Sequence, residues 1–134
     1  MIAGFRKSTV YCNGVDLSVH RAGQGEPLLL LHGFPQNHMC WERVAPQLAR
    51  HYDVIIPDLR GYGDSEAPPN ESGNVTYSKR TMAQDIADLL SALALQRANV
   101  LGHDRGARVA YRFALDHPER INKLGILEIV PTAD

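Results

Sequence analysis

Three times in 134 residues a short apolar segment runs straight into a glycine-bearing turn and then into a helical pattern. The segments are Pro27 to Leu31, Val54 to Ile56 and Ala98 to Gly102. The first of them has no polar alternation, as expected of a strand covered on both faces in a parallel sheet. A helix is read from Met39 to Arg50. A second presents Met82, Ile86, Leu89, Leu90 and Leu93 on one face. A third runs from about Arg105 to Asp116, where Pro118 stops it, and a last strand is read from Lys123 to Val130. Strand–helix alternation of this kind demands right-handed crossovers on a mostly parallel α/β sheet. Ahead of it, Ser8 to Cys12 and Asp16 to Arg21 flank Asn13-Gly14, the strongest short hairpin signal. The sheet therefore opens with an antiparallel hairpin.

Composition excludes several function classes. A net charge of −1 leaves no footprint for nucleic acid or an anionic membrane. The run Pro27 to Leu31 is far too short to span a bilayer, and no apolar stretch follows Arg6 and Lys7 as a signal peptide would require. Cys12 and Cys40 make neither a metal-binding spacing nor a disulfide framework. With no Walker lysine and no Gly-x-Gly-x-x-Gly, nucleotide binding is discounted. The expectation is a cytoplasmic chain whose residues 1–134 belong to one domain, with no cofactor and no metal.

In open parallel sheets, chemistry collects at the carboxyl ends of the strands. Three loops qualify: His32-Gly-Phe-Pro35, Asp58-Leu-Arg-Gly-Tyr-Gly63 and Gly102-His-Asp-Arg-Gly106. The last is the most informative. A strand-to-helix turn this tight strains its central residue and leaves no room for side chains two positions to either side, which Gly102 and Gly106 satisfy. Asp104 would then stand above the sheet at a helix N-terminus whose dipole favours a carboxylate. Asp is also a good N-cap, so the position alone leaves a capping role open.

These three loops, in this order, resemble the α/β-hydrolase family over essentially the whole chain. An Asp at the elbow, where many members carry Ser, points to the dehalogenase and epoxide-hydrolase branch. His32-Gly-Phe-Pro-Gln36, Gly102-His-Asp-Arg-Gly-Ala-Arg108 and Leu115-Asp-His-Pro118 are most similar to haloacetate (fluoroacetate) dehalogenases. The resemblance implies that Asp104 is the nucleophile, displacing halide from a 2-haloacetate to form an ester that water then cleaves. It implies backbone oxyanion donors at Phe34 and Arg105, and a substrate-carboxylate clamp made by the Arg105 and Arg108 side chains. Glu128, inside the apolar strand Leu124 to Val130, falls where the family carries the acid that orients the catalytic His. It is longer than the usual Asp, and a strand-end Glu facing solvent is the alternative. Trp41 is a candidate pocket wall or simply packing. Arg112 suits a solvated helix surface.

The family's His base, its lid and its last strands come after the position of Asp134. Among the histidines, His32 is expected to hold its loop by hydrogen bonds, His103 to point away from Asp104 and His117 to lie at the far helix end. His20, His38 and His51 are read as loop or surface residues. The implied fold is therefore an α/β-hydrolase sheet, truncated after the strand that follows the nucleophile helix, with lid and C-terminal strands absent. Its expected partners are a small halocarboxylate and either further copies of itself or a missing C-terminal half, paired along the exposed last strand. Rival readings are an epoxide hydrolase and a non-catalytic fragment or binding protein derived from the fold.

Overall fold

Leu28 and Leu30 face one side of the sheet and Leu29 and Leu31 the other, and all four are buried. That double burial is why the segment carries no polar alternation. It forms strand β3 (Glu26–Leu31) at the centre of a six-stranded sheet. The computed structural model describes residues 2–69 and 75–127. The remaining strands are β1 (Arg6–Cys12), β2 (Val15–Ala22), β4 (Tyr52–Pro57), β5 (Ala98–His103) and β6 (Ile121–Leu127). Their spatial order is β1-β2-β4-β3-β5-β6. β1, β2 and β4 pair antiparallel in turn, whereas β4, β3, β5 and β6 run parallel. The opening hairpin turns on Asn13 (φ 52°) and Gly14 (φ 81°), the paired left-handed conformations that a two-residue hairpin turn requires.

Helix α2 (Lys79–Ala92) starts at Ser78, whose hydroxyl accepts the Thr81 N–H at 3.1 Å. Its face of Met82, Ile86, Leu89 and Leu90 is buried against one side of the sheet, with Leu93 partly buried beyond it. Helix α3 (Arg105–Asp116) packs on that same side through Ala107, Val109, Ala110 and Phe113. The opposite side buries Ile2, Phe5, Leu28, Leu30, Trp41, Ala45, Val54 and Ile56.

The single helix expected over Met39 to Arg50 is not continuous. A 3₁₀ turn (His38–Trp41) is followed by one short helix, α1 (Ala45–Leu48). Pro46 lacks the N–H that an uninterrupted helix would use, which suits it only to a first turn. The last strand also starts earlier than expected, at Ile121, directly after a 3₁₀ turn at Pro118–Arg120. Its expected end at Val130 lies outside the described residues. Among those residues β6 has a neighbour on one side only and leaves Leu124, Ile126 and Leu127 exposed. No helix there is long and apolar enough to cross a membrane.

Candidate active site

β3 and β5 are hydrogen-bonded neighbours, with Leu31 opposite Gly102. The loops leaving their carboxyl ends are therefore forced together, and the site lies where they meet. Asp104 occupies the turn with φ 55° and ψ −116°, a strained conformation for a residue with a Cβ. A Cβ on Gly102 would stand 2.5 Å from the Gly106 carbonyl, and one on Gly106 only 2.2 Å from the Leu31 carbonyl. Both glycines are thus required by close backbone approach, as the sequence pattern indicates. The turn also needs a third: a Cβ on Gly33 would lie 2.6 Å from the Asp104 Cβ.

Although Asp104 sits at the N-cap position of α3, its side chain makes no capping bond. The carboxylate turns instead towards the neighbouring loop, where Oδ2 accepts the Phe34 N–H at 3.1 Å. That N–H holds the Asp104 carboxyl below the usual carboxylate range. Burial opposes the shift, while the Arg105 N–H and the charges of His103 and Arg105 assist it. A carboxylate this exposed, with two N–H groups converging on it, has the parts of a nucleophile facing an anion hole.

The Arg105 guanidinium lies 4.6 Å from the Phe34 ring centroid and donates to the Tyr62 hydroxyl at 3.2 Å. Arg108 is exposed one turn along the same face. A cleft of about 280 Å³ beside Arg105 is lined by Phe34, Gly61, Tyr62, Tyr77, Lys79 and Met82. Of these, Tyr77, Lys79 and Met82 carry no mark of a site in the sequence. Nothing local singles them out, because α2 meets α3 only through the crossover topology. Trp41, a candidate pocket wall, does not line this cleft. It is buried in the second core and borders a separate depression with Gln36, Cys40 and His103. Glu128 lies outside the described residues.

The loop carrying Phe34 is fixed by histidines. His32 donates from Nδ1 to the Gly33 carbonyl at 2.9 Å and accepts the Leu59 N–H at Nε2 at 3.0 Å, so the loop-holding role expected for it is met. The surface reading of His20 and His38 is corrected: both are buried, and their rings stack at 3.9 Å between centroids. His38 bonds the buried Asp58 carboxylate through its backbone N–H at 2.7 Å and Nδ1 at 2.9 Å. The other Asp58 oxygen accepts the Asp64 N–H at 3.1 Å. Sequence periodicity misses this because His20 sits on β2 and its ring is covered by His38, which arrives from the loop after β3. His51 is exposed as expected. His117 packs near Phe113 at the far end of α3, and the His103 Nδ1 meets Gln36 Oε1 at 3.1 Å.

Burial pushes the His20 and His32 imidazoles below their ordinary value of 6.5, and the neighbouring His38 adds to the effect on His20. The unfolded chain then binds protons that the folded chain refuses. Stability from these groups is fully present above pH 6.5 and is lost as pH falls through the window beneath it. The melting temperature is expected to drop between pH 7 and 5, before most carboxylates titrate. In His20→Phe, which keeps a stacking ring without a proton site, the drop should be smaller; equal drops in both proteins would remove His20 from this account.

Comparison with known proteins agrees with this geometry. Residues 26–133 match the family model described as the alpha/beta hydrolase fold. The chain is 46% identical over 132 residues to a fluoroacetate dehalogenase from a Burkholderia species, covering 98% of this chain and 43% of that protein. It is 44% identical over 119 residues to a soluble epoxide hydrolase from Corynebacterium sp. strain C12, covering 89% and 40%. A solved structure from Salmonella enterica, provisionally described as an acyltransferase, superposes with a TM-score of 0.95 at 52% identity. It is matched over 98% of this chain and 44% of its own length. The chain thus spans less than half the length of the relatives it matches. The six-stranded sheet, the glycine-framed elbow and the family match over most of the sequence place this chain in the α/β-hydrolase fold family.

Proposed function

We propose that this chain carries the nucleophile side of a hydrolase site that cleaves the carbon–halogen bond of 2-haloacetates. The observation that carries the reading is Asp104 itself: it is strained at the elbow, makes no capping bond, and accepts the Phe34 N–H at Oδ2. With Oδ2 held there, Oδ1 is the oxygen left to attack. It forms a C–O bond to the substrate α-carbon while the carbon–halogen bond breaks and halide departs with the bonding pair. Arg105 and Arg108 would hold the substrate carboxylate and orient that carbon. Hydrolysis of the resulting ester places negative charge on Oδ2, where the Phe34 and Arg105 N–H groups receive it. Water attack needs a base, and Glu128 is the proposed acid that orients one. The dehalogenase relative and the arginine pair beside Asp104 support this reading. The epoxide-hydrolase relative supports a second, in which the same carboxylate opens a neutral epoxide.

The test is incubation of the chain with bromoacetate, followed by intact mass and peptide mapping. One carboxymethyl group is expected on Asp104, none on Asp104→Asn, and bromide release should stop near one equivalent. Burial pushes the Cys12 thiol up to about 12, so it should not compete near neutral pH, and the peptide map separates any adduct on the exposed Cys40 from one on Asp104. Since Asp104 stays ionised below the usual range, labelling should hold its rate from pH 8 to 5 and fail only in stronger acid. Labelling by a small neutral epoxide in preference to bromoacetate would favour the second reading. No adduct on Asp104 with either reagent would refute both.

A further inference from the structure

Beside Asp104 the described residues assemble three cations and no acid to match them. Lys79 is half-buried at the start of α2, Arg105 and Arg108 stand across from it on α3, and none of the three forms an ion pair among those residues. Burial, and then the charges of Arg105 and Arg108, push the Lys79 ammonium below its usual value. The next arginines along the same two helices are paired. Arg80 meets Asp116 at 3.2 Å and Arg112 meets the same carboxylate at 3.3 Å. A half-buried lysine facing two like charges is an arrangement that folding alone does not favour, and it is relieved by an anion.

Charge counting identifies the class of anion. Among the described residues three positive groups stand near one negative group, Asp104, and two of the three, Lys79 and Arg105, line the same cleft. A monocarboxylate satisfies the arginine pair and leaves Lys79 unmatched; a dicarboxylate supplies one carboxylate for the arginine pair and one for Lys79. Space allows it, since the cleft of about 280 Å³ runs from Arg105 past the Tyr62 and Tyr77 rings to Lys79. The Tyr77 hydroxyl is already donated to the Pro68 carbonyl, which leaves Lys79 as the donor on that wall.

We propose that Lys79 forms a second anion subsite in this cleft, so that the site takes a 2-halogenated dicarboxylic acid in preference to a 2-haloacetate, one carboxylate held by Arg105 and Arg108 and the other by Lys79. The substrate class rests on the nucleophile reading above; the subsite itself does not. Titration of the chain with succinate and with butyrate, at one ionic strength and followed by NMR, separates them. Succinate is expected to bind at least tenfold more tightly. Lys79→Met should erase that advantage while leaving butyrate within twofold, and Arg80→Met, which changes an outward-facing paired cation, should retain it. Equal affinities for the two acids in the unaltered chain, or a Lys79→Met loss shared equally by both, would overturn the subsite. Labelling with 2-bromosuccinate provides the link to chemistry: Asp104 should be modified faster than in Lys79→Met. A succinate preference without any Asp104 adduct, from bromosuccinate or bromoacetate, would reject the nucleophile reading and leave the anion subsite standing.

Discussion

Replacing Arg60 with Met is expected to lower unfolding free energy by about 3–5 kcal/mol, the usual consequence of stranding one member of a buried ion pair. Arg60 and Asp85 are both almost wholly buried. They meet through two bonds, Nε to Oδ2 at 2.6 Å and Nη2 to Oδ1 at 2.7 Å. The guanidinium also donates to the Thr76 and Asn13 carbonyls, while the Asn13 amide donates to Asp85 at 2.8 Å. One pair thus ties the opening hairpin turn, the loop after β4 and helix α2 together. Burial already pushes the Asp85 carboxyl upward against the pull of Arg60 and Asn13. Without Arg60 it rises still further above the unfolded value and takes a proton. Stability in the variant should then recover as pH is lowered and worsen as it rises. Urea unfolding at pH 5 and pH 8 measures both effects. Changing Asp85 to Leu in the same variant should restore much of the loss, because the stranded charge is then gone. A loss below about 1 kcal/mol would mean that the pair behaves like an exposed one.

Gly106→Ala should be nearly as damaging to stability and more damaging to the site. The added methyl would meet the Leu31 carbonyl at 2.2 Å and the His32 carbonyl at 2.5 Å. Both belong to the central strand and the loop leaving it, so neither can turn aside as a side-chain end would. Helix α3 must back away from the sheet, at the upper end of the roughly 1–3 kcal/mol that overpacking costs. That shift also carries Asp104 away from the Phe34 N–H, and bromoacetate labelling should slow by tenfold or more. Gly125→Ala is the matched control. Its methyl would approach closely only the Leu101 Cδ1, at 2.8 Å, the end of a side chain with rotamers to spare, so its cost should stay below about 1 kcal/mol. If both alanines cost the same, close packing at the elbow is not what the glycine serves.

The two variants mark different depths of legibility. Gly106 is readable in the amino-acid sequence alone, because a strand-to-helix turn around Asp104 needs glycine on both sides. The Arg60–Asp85 pair is not: 25 residues separate the two, and each looks like an ordinary polar position in its own segment. The same division holds around Asp104. The family resemblance implies that the Phe34 N–H serves Asp104, and their bond at 3.1 Å follows from the adjacency of β3 and β5. Lys79 is not expected there, since its position depends on how α2 crosses the sheet to reach the start of α3. The stacked His20 and His38 rings fall in the same class.

Local chemistry determined most of the elements, the hairpin turn and the glycine frame of Asp104, because backbone sterics and apolar periodicity act within a few residues. Their order along the chain was enough to imply the sheet. Long-range encounters alone decided whether Asp104 would cap its helix or turn outward, which polar groups would be buried in pairs, and which cations would crowd the cleft. Such choices depend on distances between segments dozens of residues apart. No periodicity within one segment encodes those distances, and only the packed chain sets them.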